Sequence, residues 1–355
     1  MMMNAHGNRV KQTTNEADTS FYTTTWQDGW QQIKVPVPFS LKWVNSYLIP
    51  EQAGYTIIDP GLRTDEAINV WTAVLQQNGL QWGDISRVIL THQHPDHYGL
   101  AGYVQERSGA PVYITRSAHD YAIRLWGEKS GFSHQLQSLY EEHGMPLQER
   151  EAIADNLETF VAMVTPQPQV HYFEAGEQLQ LGGLSWRLID APGHANGQLC
   201  FYQPERKWMI CGDQVLPHIT PNVSVVPWED SDPLADFLHS LLVLKEYEVA
   251  LAYPGHRDPF TDFHGRINEL LQHHASRLDK MAAMLSKEPR TAYGMCEALF
   301  GKRLNGNAHQ LRFAMSETIA HLVHLERKGR AASSVIEGAR FYSAAVASDL
   351  EIPEA

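Results

Sequence analysis

The chain has 355 residues, 43% of them apolar, and a formal net charge of −13 at pH 7. Its length can bury one large core with an accessory domain, and its acidic balance argues against a broad nucleic-acid surface, which needs Lys and Arg against phosphate. No stretch approaches the ~20 apolar residues of a membrane span, and the 3 cysteines cannot build a disulfide framework.

Residues 1–25 are polar, rich in Asn and Thr, and lack an apolar core that could act as a signal peptide; a flexible tail and a reducing, cytoplasmic setting are expected. Strand patterns follow at Ile33–Phe39, Asn45–Ile49 and Tyr55–Asp59, the last two as a pair. Asp59 ends its strand just before Pro60-Gly61, a setting that suits a turn. Helical spacing over Asp65–Asn78 puts Ile68, Trp71 and Leu75 on one face, with Thr64 as the cap.

The apolar run Arg87–Leu90 leads into Thr91-His92-Gln93-His94-Pro95-Asp96-His97, where three imidazoles and a carboxylate follow a strand tip. A helix from Gly99 to Arg107 and a strand at Pro111–Ile114 come next. Residues 117–165 are helical in pattern, broken near Gly127–Gly131 and at Gly144-Met145-Pro146, which is long for a connection and predicts a helical cap inserted over the site. Its aromatic and Met side chains could line an apolar pocket or simply pack the cap down, while His134 and His143 are expected at the surface or in packing.

Three later apolar stretches each end in a Pro or Gly turn and one further candidate ligand: His194 after Leu188–Gly193, Asp213 after Trp208–Gly212, and His256 after Val249–Gly255. Seven candidate ligands are more than one tetrahedral zinc accepts, whereas two ions about 3.5–4 Å apart can share a carboxylate. Three imidazoles on one ion leave a position for water, whose pKa drops to about 7 on zinc. Cys200, Cys211 and Cys296 read as core residues.

The combined pattern His-x-His-x-Asp-His, then His, Asp and His, resembles the metallo-β-lactamase superfamily over roughly residues 33–260. The resemblance implies an α/β αββα sandwich with metals at one end between the sheets. Carried over residue by residue, it assigns His92, His94 and His194 to a first metal, Asp96, His97 and His256 to a second, and Asp213 as the bridge. It gives Asp96 and Asp213 catalytic roles, Asp96 by orienting the nucleophile or relaying its proton, and makes Asp59 the residue that orients the His-rich loop. The expected cofactors are two Zn2+ per chain, with iron or manganese able to use the same ligands.

Departures from particular branches narrow the activity. Asp213 and His256 are 43 residues apart, leaving no room for the nuclease insertion of β-CASP enzymes. His94 stands where flavodiiron proteins carry Glu; the loop after Asp213 lacks the basic Gly-rich sequence of glyoxalase II; and Leu216 replaces the Tyr of acyl-homoserine lactonases. True β-lactamases are usually secreted. His218, in that same loop, is the candidate substrate-facing group.

A helix or two over Phe260–Leu285 opens a terminal part (261–355) after a metallo-β-lactamase domain at 26–260. Helices at Thr291–Phe300 and Thr318–Lys328 and a hairpin through Val335–Tyr342 resemble the small winged-helix module of some family members. Residues 287–330 hold eight Lys and Arg against four Glu, +4, leaving −17 elsewhere. The reading is a dinuclear hydrolase in which metal-bound hydroxide attacks a thioester or other activated acyl bond of a small-molecule substrate. An endoribonuclease or phosphodiesterase, with nucleic acid as partner, is the less favoured alternative, and a mononuclear iron dioxygenase a further one. No membrane partner is expected, and a homodimer is left open.

Overall fold

The strands that read as unbroken apolar runs are buried on both faces, and alternate residues of each serve different cores. The computed structural model describes residues 22–345 apart from 128–129, 230, 302–303 and 305, so most of the expected N-terminal tail lies outside the described residues. One sheet runs in chain order: β1 (Thr23–Thr25), β2 (Gln31–Pro36), β3 (Trp43–Pro50), β4 (Tyr55–Ile58), β5 (Ile85–Ile89), β6 (Val112–Ile114) and β7 (Val170–Tyr172). It is antiparallel as far as β4 and parallel from β4 onward. The second sheet takes β8 (Gln178–Leu181), β9 (Leu184–Asp190), β10 (Leu199–Gln203), β11 (Trp208–Gly212) and β12 (Leu251–Pro254), antiparallel except for the β11–β12 edge.

Between the sheets lies an aromatic core that includes Trp30, Tyr47, Ile58, Ile89, Trp186, Phe201, Trp208 and Tyr253. Trp30 stacks on Trp186 with centroids 5.5 Å apart and lies 5.3 Å from Tyr253. The neighbours in sequence, Leu48, Ile57, Val88, Cys200, Met209 and Cys211, belong instead to the larger cluster that holds the helices. This two-sided burial gives the αββα sandwich its layers; Cys200 and Cys211 are buried in it as free thiols, and Cys296 is buried and free in the terminal part.

Helices α1 (Asp65–Gln77), capped by Thr64 at the Ala67 amide, α2 (Pro95–Tyr98) and α3 (Ala101–Ser108) accompany the first sheet. The insertion folds as α4 (Arg116–Trp126), α5 (Phe132–Glu142) and α6 (Leu147–Met163), broken where Gly131 and Gly144 take positive φ. The chain continues with α7 (Pro233–Leu244), a single α8 (Phe263–Leu285), the short β13 (Arg290–Thr291), α9 (Ala292–Phe300), α10 (Ala308–Arg327) and the hairpin β14 (Ala331–Ile336)–β15 (Ala339–Ala344), with β13 pairing to β15.

Sequence spacing places the last long helix at Thr318–Lys328, yet α10 begins ten residues earlier and its first turns face the insertion. Tyr140 of α5 contacts the Ser316 hydroxyl at 2.6 Å and donates to the Arg312 carbonyl at 3.0 Å. His143 is buried against the Tyr342 ring, and Arg340 pairs with Glu142. Cap and terminal helices thus pack as one body, their apolar residues continuous with the sandwich cluster.

Candidate metal centre

Four strand ends converge at one rim of the sandwich. Beyond β5, the loop Thr91–His94 and the start of α2 carry His92, His94, Asp96 and His97; His194 follows β9, Asp213 follows β11 and His256 follows β12. Two glycines are required by close approach. A Cβ on Gly193, which has φ 115°, would lie 2.3 Å from the Phe237 backbone, and one on Gly255 would lie 2.1 Å from Asp213 Oδ1.

The structure brings all seven predicted side chains together. Ligand atoms of His92, His94 and His194 lie within 4.8 Å of one another, as do those of Asp96, His97 and His256. Asp213 stands between the sets: Oδ1 is 3.4 Å from His97 Nε2, and Oδ2 is 3.7 Å from His194 Nε2 and 3.3 Å from His256 Nε2. Each of three imidazoles is turned by a partner on its far side. His97 Nδ1 donates to Asp59 (2.8 Å), His194 Nδ1 to the Asn222 carbonyl (2.7 Å) and His256 Nδ1 to the Trp43 carbonyl (2.9 Å). These tautomers leave a bare Nε2 pointing inward on each ring.

Asp59, at φ 52°, also accepts from the Thr91 amide (2.8 Å) and hydroxyl (2.6 Å), and Thr91 Oγ1 lies 2.9 Å from His92 Nδ1. Asp59, His92 and His97 form a third close trio, but the Asp59 oxygens are already taken by hydrogen bonds, so that trio is a support and not an open site.

His97 Nε2, His194 Nε2, His256 Nε2 and Asp213 Oδ1 are buried with no hydrogen-bond partner. Orphaned buried acceptors are costly, and a shared cation is what satisfies several at once. Burial, reinforced by neighbouring imidazoles, pushes His92 down and His94 to about 3, keeping both neutral as ligands must be. Burial would also lower His256, but with no cation between them Asp213 and Asp96 outweigh it and raise the ring to about 10, a pull that a bound cation would take over in place of the proton. Burial likewise works to raise the Asp96 and Asp213 carboxyls, and the facing histidines win, holding both below the usual carboxylate range.

Residues 44–256 match the sequence profile described as the metallo-beta-lactamase superfamily, and 278–342 match its metallo-beta-lactamase-like C-terminal domain. The chain belongs to the metallo-β-lactamase superfamily. A metallo-beta-lactamase family protein of Thermus thermophilus has a similar structure, with a TM-score of 0.80 and 32% identity over 89% of this chain and 98% of that one. The probable metallo-hydrolase YqjP of Bacillus subtilis is 27% identical over 87% of this chain and 96% of its own length. An atrochrysone carboxyl ACP thioesterase, dmxR1, of Cryptosporiopsis sp. is 24% identical over 65% of this chain, which spans 54% of that protein. As a metallo-β-lactamase superfamily member the chain is a metal-dependent hydrolase, and its His and Asp clusters fit divalent metal use.

In this superfamily member the centre opens into a cavity of about 440 Å³. Its floor includes His94, Asp96, His194, Asp213 and His256, and its apolar wall includes Leu125, Trp126, Phe132 and Phe160 from the cap. Trp126 also donates to the Gln93 carbonyl at 3.2 Å, tying that wall to the His-rich loop. His218 is the exception among the expected residues: it is exposed at φ 65° and does not line the cavity, whereas its neighbours Ile219 and Thr220 do. The loop makes a left-handed turn at His218, and it is the two residues after the turn that reach the cavity.

Sequence reasoning missed His309, Arg312 and Glu317, which line the opposite wall, and Asn222, whose side chain donates to Glu317 and to the Phe313 carbonyl, both at 3.2 Å. The missed signal was the apolar spacing Leu311, Ala314, Met315, Thr318 and Ile319, all buried, which carries α10 back to its cap at Asn307.

Proposed function

We propose that the chain is a dinuclear zinc hydrolase of thioesters or similarly activated acyl compounds. The observation that carries this reading is an open cavity, apolar on the cap side, whose floor presents His94 and His194 from one ligand set, Asp96 and His256 from the other, and Asp213 between them. His92, His94 and His194 would hold one ion, Asp96, His97 and His256 the other, with Asp213 shared. When bound, such a pair supplies an acidified water and Lewis-acid polarisation of a carbonyl. The chain's own residues do the rest. Asp96, on the cavity floor beside His256 (3.2 Å), would orient the attacking water or relay its proton. Asp59, Asn222 and Trp43 keep the imidazoles oriented. Trp126, Phe132 and Phe160 exclude solvent and seat the acyl chain.

The terminal order α8–β13–α9–α10–β14–β15 supports a winged-helix reading of this part, whose α10 contributes to the cavity wall. Among its described cations, Arg290 pairs with Glu288, Arg330 pairs with Asp279 and Arg312 faces the cavity, which counts against a phosphate-binding stripe. No helix among the described residues is long and apolar enough to cross a membrane, and the buried free cysteines favour a cytoplasmic setting. A relative named as a carrier-protein thioesterase adds support for the acyl class.

The test is turnover of octanoyl-CoA and of single-stranded RNA by the zinc-loaded protein, with Asp96→Asn as the blank. Thioester cleavage lost in the variant is expected. RNA cleavage lost in the variant, without thioester cleavage, overturns the acyl reading. Metal analysis should find two zinc ions per chain, and about one in His256→Ala.

A further inference from the structure

Among the described residues nothing neutralises Arg312. It sits on the cavity wall, partly open to the cavity and otherwise enclosed, and its Nε is buried without a hydrogen-bond partner. No carboxylate among the described residues pairs with it. Glu317, one helical turn further along α10, is turned instead to Arg277 and Asn222. The guanidinium carbon lies 4.2 Å over the Phe313 ring, which holds the planar group in place on the wall without cancelling its charge. Burial lowers its pKa, opposed only by Tyr140, but a guanidinium remains charged in a protein. Keeping an unpaired charge in an enclosed site costs stability, and a protein of net charge −13 has many carboxylates it could have placed there.

Its position relative to the chemistry is fixed by the helix. His309 lies one turn before Arg312, stacks on Phe39 with centroids 4.4 Å apart, and feels both the Arg312 and the Asp96 charges. A ligand whose acyl carbonyl lay over Asp96 and whose body lay along the Phe39 and Phe160 rings would therefore run toward the guanidinium.

We infer that Arg312 is a substrate-binding residue that pairs with an anionic oxygen group of the substrate, so that the preferred substrate is an apolar acyl compound bearing a carboxylate or phosphate away from the scissile bond. The planar fork suits a two-oxygen acceptor, and a charge-assisted bidentate pair forms where water is largely excluded. The bond that is cleaved rests on the acyl-hydrolase reading; the anion preference does not.

The experiment therefore separates binding from turnover. In the metal-loaded protein, binding of 4-phenylbutyrate and its neutral amide is measured by calorimetry for wild type, Arg312→Gln and Arg312→Lys. Any preference for carboxylate that the metals cause survives in Arg312→Gln; the part due to Arg312 is lost, by about tenfold or more, and Arg312→Lys retains some of it. The melting temperature of Arg312→Gln should equal or exceed that of wild type, an outcome a merely structural arginine would not give. Should Arg312→Gln fail to fold, a lower carboxylate preference in Arg312→Lys reads the same pairing.

Turnover then assigns the source of the anion. A carboxylate-bearing acyl thioester of N-acetylcysteamine is compared with its neutral isostere, and the octanoyl ester of coenzyme A with that of N-acetylcysteamine. Loss of the first advantage in Arg312→Gln places the anion on the acyl group, and loss of the second places it on the carrier phosphates. An Arg312→Gln variant that keeps wild-type carboxylate preference in binding overturns the inference, whatever the thioesterase assay gives. Absence of turnover with intact carboxylate preference overturns only the acyl-hydrolase reading.

Discussion

The floor and the wall of the cavity are built on opposite plans. The side chains of the metal centre leave strand ends close to Gly or Pro turns, and the far sides of His97, His194 and His256 are held by fixed acceptors, Asp59, the Asn222 carbonyl and the Trp43 carbonyl. The wall is assembled from α4–α6 and the first turns of α10, which are far apart in sequence and meet through Tyr140, Ser316 and Arg340. Metal chemistry tolerates little displacement of its ligands, so the floor is anchored to the sheets. Substrate choice needs only shape and charge, so the wall is carried by helices that can differ from one relative to the next.

The sharpest way to break this division is Asp96→Asn. Thioester kcat/KM should fall by about 10²–10⁴-fold while binding of a neutral apolar ligand such as 4-phenylbutyramide stays near wild type. Equal loss of both would mean that floor and wall are not separable.

Acid should come next in size. His274 and His321, packed behind the wall between α8 and α10, are 3.1 Å apart, and burial lowers them to about 2 and about 3. Their folded values lie below the unfolded value of about 6.5, so between those limits the unfolded chain binds more protons. Stability is fully present above about pH 6.5 and declines as pH falls, by of order 4 kcal/mol for the pair at pH 5. Denaturant melts at pH 7 and pH 5 would show this, and His274→Asn should remove about half of the difference.

Asp59→Asn sharpens the comparison from the floor side. It removes a charged acceptor of the His97 Nδ1 proton without touching the cavity, so zinc affinity should fall about 10–100-fold with apolar-ligand binding unchanged, as competition with a chromogenic chelator would report. The smallest effect is expected for Tyr140→Phe, which loses the contacts from α5 to α10 at a stability cost of about 1 kcal/mol, visible in a urea melt, with metal content unaffected.

The floor was legible in the sequence because its information is local. A ligand one residue beyond an apolar strand and a tight turn can be read in a short window, as at Pro254-Gly255-His256. The Thr64 cap and the helix breaks at Gly131 and Gly144 were legible for the same reason. Arg312 and Asn222 were not, because what sets them apart is what they meet: Asn222 supports His194 through its backbone carbonyl, which no side-chain identity encodes, and Arg312 stands out because its Nε is buried without a partner and no carboxylate among the described residues pairs with it. His218 shows the converse. Its residue type and loop suggested the site, yet it is exposed and off the cavity lining, which its neighbours Ile219 and Thr220 supply.

The bond from Asn222 to α10 carries a consequence for recombining such enzymes. The carbonyl that aims His194 belongs to a loop held by Glu317 and Phe313, and the same helix is fastened to the cap by Tyr140. Grafting the tail of one relative onto the body of another would therefore misalign a ligand that lies far upstream of α10 in the chain. Cap, Asn222 loop and tail have to be exchanged together, as a single cassette, if a chimera is to keep its metal and acquire a new specificity.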